Sequence, residues 1–291
     1  MTLPASPRRA RRSVACIAVL VALTGVVAST QSQPSKSEVL RRAAAYVQTQ
    51  AEQLPQLVAE EHTRQIVRSR AGSRSSSPPQ TIETRADFAW IKLEGMTEAL
   101  GVRDVRVVDG KPVGGATRLE ELLRRPSASS IAAARALLAE SARYNAGPLW
   151  RNVNLPTTAM FMLHADLQPR FSWKAGDKND VSTVVLSFKE RERPTLIRGL
   201  FNEPVFSRGR VWIDPATGGV QRTELRTEMR DPNEGYKTYY LLTVEFAINE
   251  SLRMLLPRRL HEHYETPVEI VDGEAEYVNY RRFQTEGRLV R

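Results

Sequence analysis

The sequence is almost without cysteine. Of 291 residues only Cys16 is one, and it lies inside a short apolar run near the start. Past that run there is no disulfide to form, no thiol nucleophile and no thiolate ligand. Stability must therefore come from a core, and the 263 residues after position 28 are enough for one large domain or two small ones. Long apolar runs are missing too. The longest, residues 14–27, falls short of the roughly twenty residues that cross a bilayer. Gly-x-Ser-x-Gly, the P-loop, Gly-x-Gly-x-x-Gly and His-Glu-x-x-His do not occur, so the common local signatures of hydrolase, phosphate-binding, dinucleotide and zinc-protease sites are all lacking.

What is present begins with a basic head, Arg8, Arg9, Arg11 and Arg12, followed by the apolar run and by Ala28, Ser29 and Thr30. This order reads as a secretory signal cut after Ala28. Cys16 comes too early in the run to be a lipidation cysteine. The formal charge of +9 falls to +5 when the four arginines are removed. That balance gives no argument for a nucleic-acid partner, and the expected location is exported, periplasmic or secreted. The expected layout is signal 1–28, tether 29–36, one domain 37–287 with a helical insert at about 117–164, and a tail 288–291.

Ser37 is placed to cap a helix running to about residue 59, with Pro55 a point where it kinks or ends. Residues 60–70 alternate as a first strand, and the Ser- and Pro-rich stretch 71–80 reads as a mobile hairpin loop. Strands follow at 81–93 and 102–108, the second ending in the turn signal Asp109-Gly110. Thr117 with Glu120 makes a capping box for a short helix, and a longer helix runs from Ser129 or Ser130 to about Tyr144. Residues 157–164 read as an apolar helical turn. From position 168 onward strands resume at 170–173, 181–190, 209–214, 220–230, 236–248, 253–265 and 275–283, with Asp272-Gly273 expected to be a turn.

Two of these strands are informative about sidedness. Arg222, Glu224, Arg226, Glu228 and Arg230 share one face, which suits solvent. Tyr236, Tyr240, Leu242, Val244, Phe246 and Ile248 share one face, which must be buried. The fold class expected is α+β, a curved antiparallel sheet forming an incomplete β-barrel covered by helices, whose concave side can enclose an apolar cavity.

The run Gly209, Val211, Trp212, Ile213, Asp214, Pro215, Thr217, Gly218, followed downstream by Leu256-Pro257, resembles the C-terminal half of Lol-type lipoprotein carriers and the related periplasmic sensors that regulate a sigma-factor pathway. The resemblance implies a half-barrel with helices plugging its mouth over a cavity for acyl chains. The helical insert departs from that pattern, and no ligand-gating residue of the family maps onto this chain.

The candidate ligand-binding residues are Met160, Phe161 and Leu163, read as a lid of adaptable side chains, together with Trp212, Tyr240 and Phe246 as cavity lining; Tyr236, Tyr277 and Phe283 belong to the same aromatic set. The bland reading of all of them is ordinary core. His261, His263 and Glu265 share a strand face and offer a metal-ligand set, against a solvated face beside Arg258 and Arg259. His62 beside Glu60 and Glu61, and His164 at the end of the apolar turn, read as solvated or half-buried residues. Arg258-Arg259 and Arg281-Arg282 are candidates for lipid head groups, again against a solvated face. The function expected is a non-enzymatic binding protein holding a lipid, acyl chain or other apolar ligand, with transient membrane contact. The alternatives are an envelope interaction or sensor module with a filled core and a protein partner, and a metal-dependent enzyme using His261 and His263. No catalytic residue, metal or cofactor is assigned.

Overall fold

The computed structural model describes residues 34–71, 78–92, 99–114, 118–124, 130–147, 154–176, 182–199, 202–230, 235–284 and 288–289. The expected signal, the loop tip at 72–77 and the Thr117 cap lie outside these residues.

Helix α1 (Lys36–Gln53) starts two residues earlier than expected. Ser35, not Ser37, is the cap, its Oγ accepting from the Glu38 amide at 3.3 Å. The helix ends sooner as well, in a 3₁₀ turn over Leu54–Gln56 that carries Pro55. Proline has no N–H to continue the ladder, so Leu57, Val58 and Ala59 pass to the first strand instead. In chain order the strands and remaining helices are β1 (Leu57–Ser69), β2 (Gln80–Ile91), β3 (Leu100–Val108), β4 (Lys111–Pro112), α2 (Arg118–Arg124), α3 (Ser130–Ser141), β5 (Phe171–Ala175), β6 (Val184–Glu190), β7 (Ile197–Arg198), β8 (Pro204–Val205), β9 (Ser207–Ile213), β10 (Val220–Arg230), β11 (Lys237–Asn249), β12 (Met254–Glu265), β13 (Glu269–Gln284) and β14 (Arg288–Leu289).

All but β7 and β8 join one antiparallel sheet, ordered β4-β3-β2-β1-β13-β12-β11-β10-β9-β6-β5, with β14 beside β13. The sheet is open, β4 and β5 being its two edges. The central pairing of β1 with β13 joins the first strand to the last long one, with Glu61 opposite Tyr277 and Gln65 opposite Gly273. Asp272-Gly273 is therefore not a turn: both residues sit inside β13. The reversal is at Thr266–Val268, where the Thr266 hydroxyl accepts from the Glu269 amide at 2.9 Å. Gly273 serves a different need, since a Cβ there would lie 2.6 Å from the carboxylate of Glu262 on the neighbouring strand.

Register divides the sheet into two faces. Residues opposite each other point to the same side, so Val211, Thr223 and Val244 share one face while Trp212, Arg222 and Glu245 share the other. The first is the apolar face. Its core joins Leu186, Phe188, Ile213, Leu225 and Leu242 to Val39, Ala43 and Val47 of α1. The buried face predicted for β11 holds in its middle, at Tyr240, Leu242, Val244 and Phe246. It fails at its ends, where Tyr236 and Ile248 are exposed beyond the cover.

The Asp214–Gly219 turn is the seat of α1. Asp214 accepts from the Ala216 amide and the Thr217 hydroxyl at 2.8 and 2.7 Å. Arg42 of α1 donates to the Pro215 carbonyl at 2.6 Å. Gly218 takes φ +79°, and a Cβ on it would stand 2.4 Å from the Arg42 backbone. Glycine is required there on both counts.

The insert does not act as a single cover. Ala89 and Ile91 in β2 alternate with Phe88 and Trp90, and all four are buried. Such a continuous run marks a strand covered on both faces. Phe88 and Trp90 join the core under α1, whereas Ala89 and Ile91 pack with Leu119 and Leu122 of α2 and Ala134 and Leu137 of α3. Helices α2 and α3 thus cover the opposite side of this end of the sheet. Asp104, on that side, accepts from the Leu119 amide at 3.0 Å at the start of α2. The chain after α3 then returns to the apolar side, where the Ala146 amide donates to Gln65 Oε1 at 2.8 Å.

Candidate functional site

The expected lid is a 3₁₀ segment over Thr158–Leu163. Leu155-Pro156 leads into it, and its backbone bonds are of the i→i+3 kind, Met160 N to Thr157 O at 2.9 Å and His164 N to Phe161 O at 3.1 Å. It lies against α1, β10 and β11. Thr158, Ala159, Met160, Met162 and Leu163 are buried, and the segment is a wedge between the helix and the apolar face of the sheet.

Two side chains hold the ends of the wedge. Behind it, Gln168 Nε2 donates to the Leu40 carbonyl of α1 and to the Leu163 carbonyl, both at 2.9 Å. In front, Arg103 of β3 donates from Nη2 to the Asn154 carbonyl at 2.6 Å and from Nη1 to Asn154 Oδ1 at 3.3 Å. The same guanidinium pairs in bidentate fashion with Glu61, Nε to Oε2 at 2.5 Å and Nη2 to Oε1 at 2.9 Å. Tyr277 donates to Glu61 Oε1 at 2.6 Å. Glu61 is 0% exposed, so a charged pair on the apolar face fixes the start of the wedge to β1, β3 and β13. Burial pulls the Arg103 guanidinium down, and the Glu61 and Tyr277 oxygens more than reverse this, leaving it raised.

Burial raises the Tyr277 and Tyr280 hydroxyls well above the ordinary phenol range; for Tyr277 the Glu61 carboxylate adds to this and Arg103 opposes it. Burial also raises Tyr46, whose hydroxyl donates to the Leu255 carbonyl. An unfolded chain gives up these protons near pH 10, while the folded chain keeps them. The stability present below pH 10 is therefore lost as pH rises above it, at about 1.4 kcal/mol per pH unit for each tyrosine. Urea unfolding at pH 9, 10 and 11 is expected to be flat and then fall steeply, and Tyr277→Phe to reduce the slope above pH 10. An unchanged midpoint at pH 11 would contradict the burial of these hydroxyls.

Of the predicted ligand residues, Met160, Leu163, Tyr240 and Phe246 come together in the core beneath α1. Phe161 is only half-buried and sits beside His164, ring centroids 6.1 Å apart. Trp212 does not belong with them: it is on the other face, between the guanidinium groups of Arg210 and Arg222 at 5.1 and 5.0 Å. Strand alternation puts it there, because its neighbours Val211 and Ile213 are the buried ones. Residue types alone did not point to Thr223 and Thr227. They flank Leu225 on the apolar face of β10, and their buried hydroxyls have no hydrogen-bond partner among the described residues. Arg103 was missed as well, and Glu61, expected to be solvated beside His62, is buried. Their only signal was a charge falling on the apolar parity of its strand.

Among the described residues, Met160, Met162 and Leu163 occupy the space between α1 and the apolar face of the sheet where the apolar cavity was expected. Two pockets carry polar and charged side chains in their lining. One, of about 20 Å³, is lined by Gln65, Thr84, Arg103, Asn154 and Glu262, and is about the size for one water. The other is a groove of about 900 Å³ on the charged face, lined by His62, Arg64, Glu83, Arg85, His261 and Glu274 among others.

His263 Nδ1 and Asp272 Oδ1 are 2.5 Å apart, and Asp272 also pairs with Arg68. Among the described residues no group of three or more His, Cys, Asp or Glu is arranged to hold a metal. His62 hydrogen-bonds Glu60 at 2.6 Å, and that bond, helped by Asn279, lowers the Glu60 carboxyl. Arg259 pairs with Glu276 at 3.0 Å and Arg281 with Asp87 at 2.8 Å, so the head-group candidates are already partly neutralised.

No family model and no curated protein matches the chain. Among solved structures, it is similar to a provisionally assigned outer membrane lipoprotein-sorting protein domain from Vibrio parahaemolyticus, at 12% identity over 84% of this chain and 92% of that one, with a TM-score of 0.37.

Proposed function

We propose that this chain is an exported, non-enzymatic binding protein that takes an apolar chain, such as a lipid acyl group, between the sheet and its cover. The observation that carries this reading is the wedge at 158–163. It occupies the space between α1 and the strands with methionine and leucine side chains, which adapt to irregular apolar surfaces, and its backbone is a 3₁₀ turn. Displacing it would uncover Leu225, Leu242 and Tyr240 together with the unpaired hydroxyls of Thr223 and Thr227. An acyl chain would gain about 25 cal/mol per Å² of apolar surface buried, and an ester or amide carbonyl would satisfy the hydroxyls.

The filled interior favours a second reading, an envelope interaction module that carries no ligand. Native mass spectrometry of the purified chain, followed by organic extraction, separates the two. Copurified lipid, or displacement of a fluorescent fatty acid by added lipid, is the expected result. An apo mass with no probe binding would overturn the carrier and leave the interaction module.

A further inference from the structure

The charged face of the sheet is not evenly mixed. Its end at β5, β6, β9 and β10 as far as Arg226 carries Lys174, Lys189, Arg208, Arg210, Arg222 and Arg226, with Glu224 the one carboxylate among them and Glu228 next along β10, close enough to interact with Arg208. Glu224 is 5% exposed and is consumed within the patch, accepting from Arg210 at 2.9 Å and Arg226 at 2.7 Å. Register makes the imbalance sharper. Lys189 lies directly opposite Arg208, and Arg208 directly opposite Arg226, so three cations stand in one row across three strands. Like charges in this position repel. Lys189 and Arg208 have no ion pair within 4 Å among the described residues, and all three side chains are exposed. Two same-face positions further along β9, Trp212 is held between Arg210 and Arg222, and Phe206, just before β9, is 42% exposed.

An electropositive face with aromatic side chains among its cations is complementary to an anionic lipid surface, where basic groups meet head-group phosphates and aromatic rings sit at the interface. We infer that this face docks the protein on anionic phospholipid. The contact neutralises Lys189 and Arg208, which no ion pair within 4 Å among the described residues does, while Arg226 is already paired with Glu224. It lies on the side of the sheet away from α1 and the wedge, so it stands whether or not the interior takes a ligand. The arginine pairs expected to do this from sequence, at 258–259 and 281–282, lie on other strands.

The test is sedimentation with vesicles of equimolar phosphatidylcholine and phosphatidylglycerol, and with pure phosphatidylcholine, at 0.1 M salt. It compares the full chain with its Lys189→Gln/Arg208→Gln/Arg226→Gln variant. Both carry the same N-terminal stretch, so the difference reports the face. Each cation near an anionic surface contributes about five-fold to binding, so the triple variant is expected to lose about a hundred-fold in affinity for the phosphatidylglycerol vesicles. Neither protein should gain from pure phosphatidylcholine, and 0.5 M salt should erase the difference. The substitutions relieve repulsion at exposed positions, and Arg210 still pairs with Glu224 when Arg226 is replaced, so the thermal midpoint of the variant should stay close to that of the parent. Arg258→Gln/Arg259→Gln, with the face intact, should bind as the parent does. Equal binding of parent and triple variant would overturn the assignment. So would a parent that prefers a single-stranded oligonucleotide to the vesicles, since that would make the face a general polyanion site.

Discussion

Replacing Arg103 with leucine lowers the unfolding free energy by about 3–5 kcal/mol, the usual cost of leaving a buried charge without its partner. Glu61 is fully buried, and in the variant the Tyr277 hydroxyl is the bond that remains to it. The front of the wedge loses its two bonds at Asn154 in the same step. A stability loss and a local release should therefore appear together, the first in urea unfolding and the second as faster proteolysis within residues 154–167. The double variant Glu61→Leu/Arg103→Leu separates them. Replacing both charges with apolar groups of similar size is often neutral or better, so the global stability should largely return, while the wedge stays loose because Asn154 is still unheld. A loss below about 1 kcal/mol in Arg103→Leu would mean that water reaches the pair and that it fixes nothing.

That pair also marks where reading from sequence stops. The strands were legible because charged residues take every second position of β10 and large apolar ones every second position in the middle of β11, and the apolar turn before position 164 was legible from Met160 to Leu163. Trp212 could have been placed by parity, since it alternates with Val211 and Ile213. Asp272-Gly273 was misread because the same dipeptide serves a hairpin turn or, as here, a strand that must make room for a neighbour. What distinguishes the two is Glu262, a residue on another strand. Glu61, Arg103 and Tyr277 meet across as many as 216 positions, and no local pattern records such a distance. The covering of both faces of β2 was likewise written in Phe88, Ala89, Trp90 and Ile91, four apolar residues with no polar one between them.

Met162→Ala is the variant in which stability and binding are expected to move in opposite directions. Met162 is 0% exposed and packs in the core beneath α1. Its truncation should cost about 2–5 kcal/mol, as loss of a buried methionine does when the surroundings relax only in part. If the wedge simply fills the core, nothing else follows. If it is the part that a ligand displaces, the truncation weakens the closed state and leaves the apolar face of β10 and β11 unchanged. The binding-competent fraction then rises, and apparent affinity rises with it in proportion. A fluorescent fatty acid should bind the variant at least ten-fold more tightly than the parent. General loosening of the fold could imitate this, and Leu137→Ala guards against it. Leu137 is buried in the separate cluster under α2 and α3, and its loss should lower stability by a similar amount. Probe affinity that rises in Met162→Ala and not in Leu137→Ala assigns the site to the wedge. An equal rise in both would mean that the probe reports unfolding, and no rise in either would leave Met162 as core and nothing more.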